Sequence, residues 1–159
     1  MLREQEYVGL LIAAAQRSVK LAVQRRSRAL GLTSQQFWFV NAARELPGAS
    51  LGEIARRQRM AAPTASRLAE GLARRGLVRM VPDDRDRRAL RVLLTAAGSR
   101  LAERIVPLAA SVRTAVVRGM SAREQQALRD ALRRVVANVE TFAAKADLQV
   151  GRAHDGGHS

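Results

Sequence analysis

The sequence contains no cysteine, which excludes disulfides, cysteine-ligated zinc, iron–sulfur clusters and thiol redox sensing. Aromatic residues make up only 3% of it. Its core must therefore come mainly from Ala, Leu and Val, which suits close-packed helices better than a β-sandwich. No apolar run approaches the ~20 residues of a membrane span, and Met1-Leu2-Arg3-Glu4 lacks the layout of a signal peptide. His154 and His158 stand four apart near the C-terminus with only Asp155 as an acidic neighbour, a spacing that chance explains better than metal binding. No nucleophile–base pair, phosphate loop or metal set is present. The expectation is a cytoplasmic protein with no cofactor, no metal, no membrane segment and no enzyme activity.

Acidic residues are also scarce. Fourteen Asp and Glu stand against 28 Lys and Arg, a net charge of +14, and all the basic residues except Lys20 and Lys145 are arginine. A GC-rich genome would favour Arg codons without any functional cause, yet such a charge on a 17.4 kDa chain still attracts polyanions. Nucleic acid is the leading partner on charge alone, with an anionic membrane surface as the alternative. The 159 residues amount to about one domain.

Three capping boxes mark helix starts: Thr33 with Gln36, Ser50 with Glu53, and Ser121 with Glu124. Gly31, Gly48, Gly76 and Gly119 follow expected helix ends, where a left-handed residue is least costly without a Cβ. Helices are predicted near 4–30, 33–46, 50–57, 61–75, 96–118 and 122–147. Leu77–Val81 and Ala89–Leu94 flank the polar cluster Pro82–Arg88 and predict a β-hairpin with a charged tip. Only the tail, 148–159, reads as disordered.

The outer helices carry long apolar stripes. Leu101, Ile105, Leu108, Val112 and Val116 form one, and Leu128, Leu132, Val135, Val139 and Phe142 another. Tyr7, Leu10, Leu11, Ala14 and Leu21 line the first helix. A second copy of the chain is expected to cover these faces; the plainer alternative is a monomer that folds them onto its own core.

Segments 50–57 and 61–75, joined through Gln58–Met60, have the layout of a helix-turn-helix. Ala65, Leu68 and Leu72 should face the core, leaving Pro63, Ser66, Arg67, Glu70 and Arg74 outward as a major-groove reader requires. An ordinary solvated helix face would show the same pattern. In the hairpin tip, Asp86 and Arg88 lie two apart, so the carboxylate is expected to orient the guanidinium for entry into a minor groove. A plain surface ion pair is the alternative there.

Leu32-Thr33-Ser34-Gln35-Gln36-Phe37, Gly76-Leu77-Val78, Asp86-Arg87-Arg88-Ala89 and Leu94-Thr95-Ala96-Ala97-Gly98 resemble the MarR family of winged-helix regulators. The resemblance runs in order over about 1–147 and is most specific from Gly76 through Gly98. It implies a mainly α fold, six helices plus a β-hairpin wing. It divides the chain into an N-terminal dimerisation helix (1–31), a winged helix-turn-helix (32–95), C-terminal dimerisation helices (96–147) and the tail.

The resemblance also implies a homodimer on a pseudo-palindromic DNA operator, mostly a repressor, released by a small aromatic or phenolic anion. Pro63, Thr64, Ser66, Arg67 and Arg74 would lie on the reader helix, with Arg85, Asp86 and Arg88 in the wing. Arg17 and Trp38 are the candidate ligand contacts; an interface arginine and a packing tryptophan are the alternatives. Two departures stand out. Met60-Ala61-Ala62-Pro63 lacks the usual capping hydroxyl, which would free backbone donors for a phosphate, and Met80 stands where the family often has Arg. The N-termini of helices 33–46 and 50–57 are also expected to hold phosphates. A non-specific DNA-compacting protein would share the charge, and a helical adaptor would share the stripes.

Overall fold

A computed structural model describes residues 7–84 and 86–155, with side chains as far as 144. Among these residues the chain forms six helices and one two-stranded antiparallel sheet. The helices are α1 (Val8–Arg28), α2 (Ser34–Glu45), α3 (Leu51–Arg57), α4 (Ala62–Arg74), α5 (Ala96–Val116) and α6 (Ala122–Asp155). Strands β1 (Val78–Pro82) and β2 (Leu90–Leu94) lie between α4 and α5, paired from Val78 with Leu94 to Pro82 with Leu90. The expected start of the first helix at 4 lies outside the described residues.

Local chemistry set most boundaries. At α2, Gln36 N–H donates to Thr33 Oγ1 at 3.1 Å while Thr33 N–H donates to Gln36 Oε1. The boxes at Ser50–Glu53 and Ser121–Glu124 close the same way. Each such cap is worth about 1 kcal/mol. Gly31, Gly48, Gly76 and Gly119 all adopt positive φ, as expected of residues that stop helices. Arg59, in the turn between α3 and α4, joins them at φ 49° and is the one described non-glycine residue to do so.

The chain divides into one compact unit through Val116 and a second from Val117 onward. In the first, Phe37, Phe39, Val40, Ile54, Leu72, Val92 and Ile105 are fully buried. The α5 stripe belongs to this core: Leu101, Ile105 and Val112 are buried, Leu108 packs against them, and only Val116 is exposed. The expectation that this stripe awaits a partner is corrected, because α1 and α2 pack on it. One flank of α1 stays open, with Tyr7, Leu10, Leu11 and Leu21 exposed.

Thr95 joins the hairpin to α5. Its hydroxyl donates to the Gly76 carbonyl at 2.6 Å and accepts from Gly98 N–H at 3.0 Å. Any Cβ on Gly98 would overlap the Leu77 carbonyl, which is why this helix turn carries glycine.

The second unit is dominated by α6. Leu128, Leu132, Val139 and Phe142 are exposed along it, Phe142 at 75%. The helix runs to Asp155, so most of the stretch read as a disordered tail is helical. Helix formers continue through Gln149 and no proline interrupts them. Residues 156–159 lie outside the described residues.

Candidate nucleic-acid interface

Helix α4 is strongly two-faced. Ala65, Ala69 and Leu72 are buried, and Leu68, expected in that stripe, is half-buried against the core. Pro63, Arg67, Glu70 and Arg74 are exposed, with Thr64 and Ser66 half-buried at the edges. Small Ala55, 5% exposed, lets α3 and α4 approach closely. The Met60 N–H then donates to the Ala55 carbonyl and closes the turn.

The uncapped start of α4 offers less than expected. Ala61 at the N-cap makes no side-chain bond, Pro63 has no N–H, and Thr64 N–H already donates to the Ala61 carbonyl at 3.0 Å. Of this turn, the Ala61 and Ala62 N–H groups remain without a partner among the described residues. A phosphate would find two donors rather than a full cup.

The other helix starts differ in charge. In α2 the capping box is neutral, and the Ser34 and Gln35 N–H groups have no partner among the described residues. In α3 the box ends in Glu53, whose carboxyl is held below the ordinary range by hydrogen bonds from the Ser50 backbone and hydroxyl. That carboxylate stands where a phosphate would have to come. The α2 start therefore suits an anion better than the α3 start, where an expected phosphate would meet the Glu53 carboxylate.

In the wing, Asp86 acts on backbone rather than on a guanidinium. Its Oδ1 accepts from the Arg88 N–H at 3.0 Å, and its own N–H donates to Asp83 Oδ1 at 3.2 Å. A carboxylate two residues before an amide forms this local turn without unwinding the long Arg side chain. The Arg88 guanidinium, expected to be oriented by Asp86, has no hydrogen-bond or ion-pair partner among the described residues, and Arg88 is exposed. Arg85 lies outside the described residues. Met80 is half-buried and packs against the core.

The wing is tied to the start of the helix-turn-helix. Val92 N–H donates to the Ala49 carbonyl at 2.9 Å, and Ser50 bridges Arg91 as a further edge of the sheet. Arg91 Nε donates to the Gly48 carbonyl at 2.9 Å, and its Nη1 lies 3.4 Å from Asp84 Oδ2. Sequence reasoning passed over Arg91 because its partner is 43 residues away.

A second cluster was also missed. Glu45, at the end of α2, accepts from Arg113 of α5, from Arg57 of α3 at 3.1 Å and from Asn41 at 3.0 Å. Burial raises its carboxyl pKa, but hydrogen bonds from Arg113 and Asn41 and the charges of Arg113 and Arg57 outweigh this and hold it low. Arg113 also lies over the Trp38 ring, 5.7 Å from its centroid, and Phe37 meets the same indole edge-on. Trp38 is thus packed between named neighbours, while Arg17 is exposed on α1 and makes no hydrogen bond among the described residues. No contact joins the two.

Among the described residues no group of three or more His, Cys, Asp or Glu could hold a metal, and no helix is long and apolar enough to cross a membrane. The side chain of His154, and all of His158, lie outside the described residues.

Residues 30–89 match the family model described as MarR family. A Bordetella bronchiseptica protein, BpsR, whose DNA binding is regulated by 6-hydroxynicotinic acid, is 27% identical with a TM-score of 0.71, covering 86% of this chain and 97% of its own. A MarR protein from Peptoclostridium difficile superposes at 0.73 with 21% identity over 92% of this chain and 97% of its own. A mutant E. coli MarR complexed with operator DNA superposes at 0.68 with 21% identity, covering 80% and 92%. No curated protein matches in sequence.

Proposed function

We propose that this chain, whose residues 30–89 match the MarR family model, is a sequence-specific transcription regulator of that family that grips a pseudo-palindromic operator as a homodimer. One observation carries the reading. Helix α4 buries Ala65, Ala69 and Leu72 while leaving Arg67 exposed, beside a wing whose Arg88 guanidinium is unpartnered among the described residues. Pro63, Thr64, Ser66 and Arg67 face base edges, Arg74 and the wing residues Arg85 and Arg88 meet phosphates or a minor groove, and Asp86 shapes the wing. Two reader helices about 34 Å apart fit successive major grooves. The open apolar flanks of α1 and α6 supply the dimer contact.

In this reading the protein is a repressor released by a small aromatic acid. The regulation of the Bordetella protein by 6-hydroxynicotinic acid supports that ligand class. Arg17 supplies a cation and Trp38 an aromatic face.

Gel shifts and footprinting on a duplex selected from a random pool test the proposal. Arg67→Ala should lose about 1–3 kcal/mol of discrimination between sites. Arg88→Ala should weaken all duplexes together and reduce the salt slope by about 1. Millimolar salicylate or 6-hydroxynicotinate should release the duplex and change Trp38 fluorescence. Unchanged binding by both variants overturns the DNA assignment, uniform coating of DNA makes the protein architectural, and no response to either acid removes the ligand.

A further inference from the structure

The wing presents Arg88, and something must fix where the wing points. We propose that Arg91 is the positioning residue that sets the wing against the reader helix, a role that rests on the DNA-binding reading above. Arg91 sits on β2, and its side chain is only 35% exposed, turned back along the molecule. At one end its Nε binds the Gly48 carbonyl, at the mouth of the α2–α3 turn. The fit there is close: a Cβ on Gly48 would come within 2.6 Å of Arg91 Nη2, so the guanidinium lies on a bare α-carbon. At the other end its Nη1 reaches Asp84 Oδ2 at 3.4 Å on the acidic shoulder of the wing, while Nε itself stands 3.9 Å from Asp83 Oδ2.

Asp83 links this anchor to the tip. The same carboxylate that faces Arg91 accepts the Asp86 N–H, and Asp86 in turn accepts the Arg88 N–H. A continuous chain of polar contacts therefore runs from the Gly48 carbonyl through Arg91, Asp83 and Asp86 to the backbone of Arg88. Only a planar fork can bind a carbonyl with one nitrogen and a carboxylate with another; a lysine ammonium has a single point of charge. Arg91 acts through Arg88, and its own cation is neutralised by the aspartates it holds.

The test uses the full-length protein and a duplex that the parent selects from a random pool. Arg91→Ala should weaken binding about tenfold, within the range for residues sharing one network. Arg91→Lys should fail to restore it although the charge is kept. In an Arg88→Ala background, the further loss on removing Arg91 should nearly vanish. A readout without DNA accompanies this: trypsin should cut the wing after Arg87 and Arg88 faster in both Arg91 variants, with helix content by circular dichroism unchanged. Additive losses, or full rescue by Lys, make Arg91 a direct phosphate contact and overturn the proposal. Unchanged wing cleavage overturns it as well. If the parent selects no duplex, the regulatory reading fails, while the cleavage result still decides the anchor.

Discussion

Helices α5 and α6 carry apolar stripes of the same kind and spacing, yet their fates differ. In α5, Ile105 is fully buried and Val112 nearly so. In α6, Leu132 is 41% exposed and Val139 60%. Periodicity fixes which face of a helix is apolar; it is silent about what lies over that face. For α5 the cover is supplied within the chain by α1 and α2, helped by polar ties such as Arg44 to Glu103 at 3.1 Å and Arg113 to Glu45. For α6, the proposed second copy is the cover.

The contrast can be broken from either side. Ile105→Ala should cost about 3 kcal/mol, the usual toll of a buried cavity, and the loss in a denaturant titration should not depend on protein concentration. Leu132→Glu should leave the fold of the first unit intact but weaken self-association at least about tenfold, roughly 1.4 kcal/mol or more, read as a shift toward single copies in sedimentation. If Leu132→Glu sediments like the parent, α6 is not the seam.

The smallest effect sharpens the α5 side alone. Glu45→Gln removes the carboxylate that holds Arg113. Because its folded pKa is depressed, its contribution is complete above the ordinary glutamate range and disappears as pH falls through the lower folded value. The stability gap between parent and variant should thus be present at neutral pH and close in acid, followed by thermal melts across that range.

What could be read beforehand was what is short-ranged in the chain. The three capping boxes and the four glycine stops are settled within a few residues, and so were legible. The two faces of α4 followed from its 3.6-residue period. Contacts that span the chain were not: Arg113 meets Glu45 across 68 residues and Arg91 meets Gly48 across 43. In an arginine-rich sequence nothing local marks which guanidinium is spoken for. Asp86 was recognised as part of the wing but given the wrong partner, because spacing alone does not separate an amide from a side chain.

The turn between α3 and α4 sets two properties of one residue against each other. Arg59 sits there, exposed, in a backbone conformation that costs an L-residue about 1–2 kcal/mol. Glycine would relax the bend and erase a positive charge in the same stroke. At that single site, durability and electrostatic reach are opposed, and the sequence as it stands favours reach.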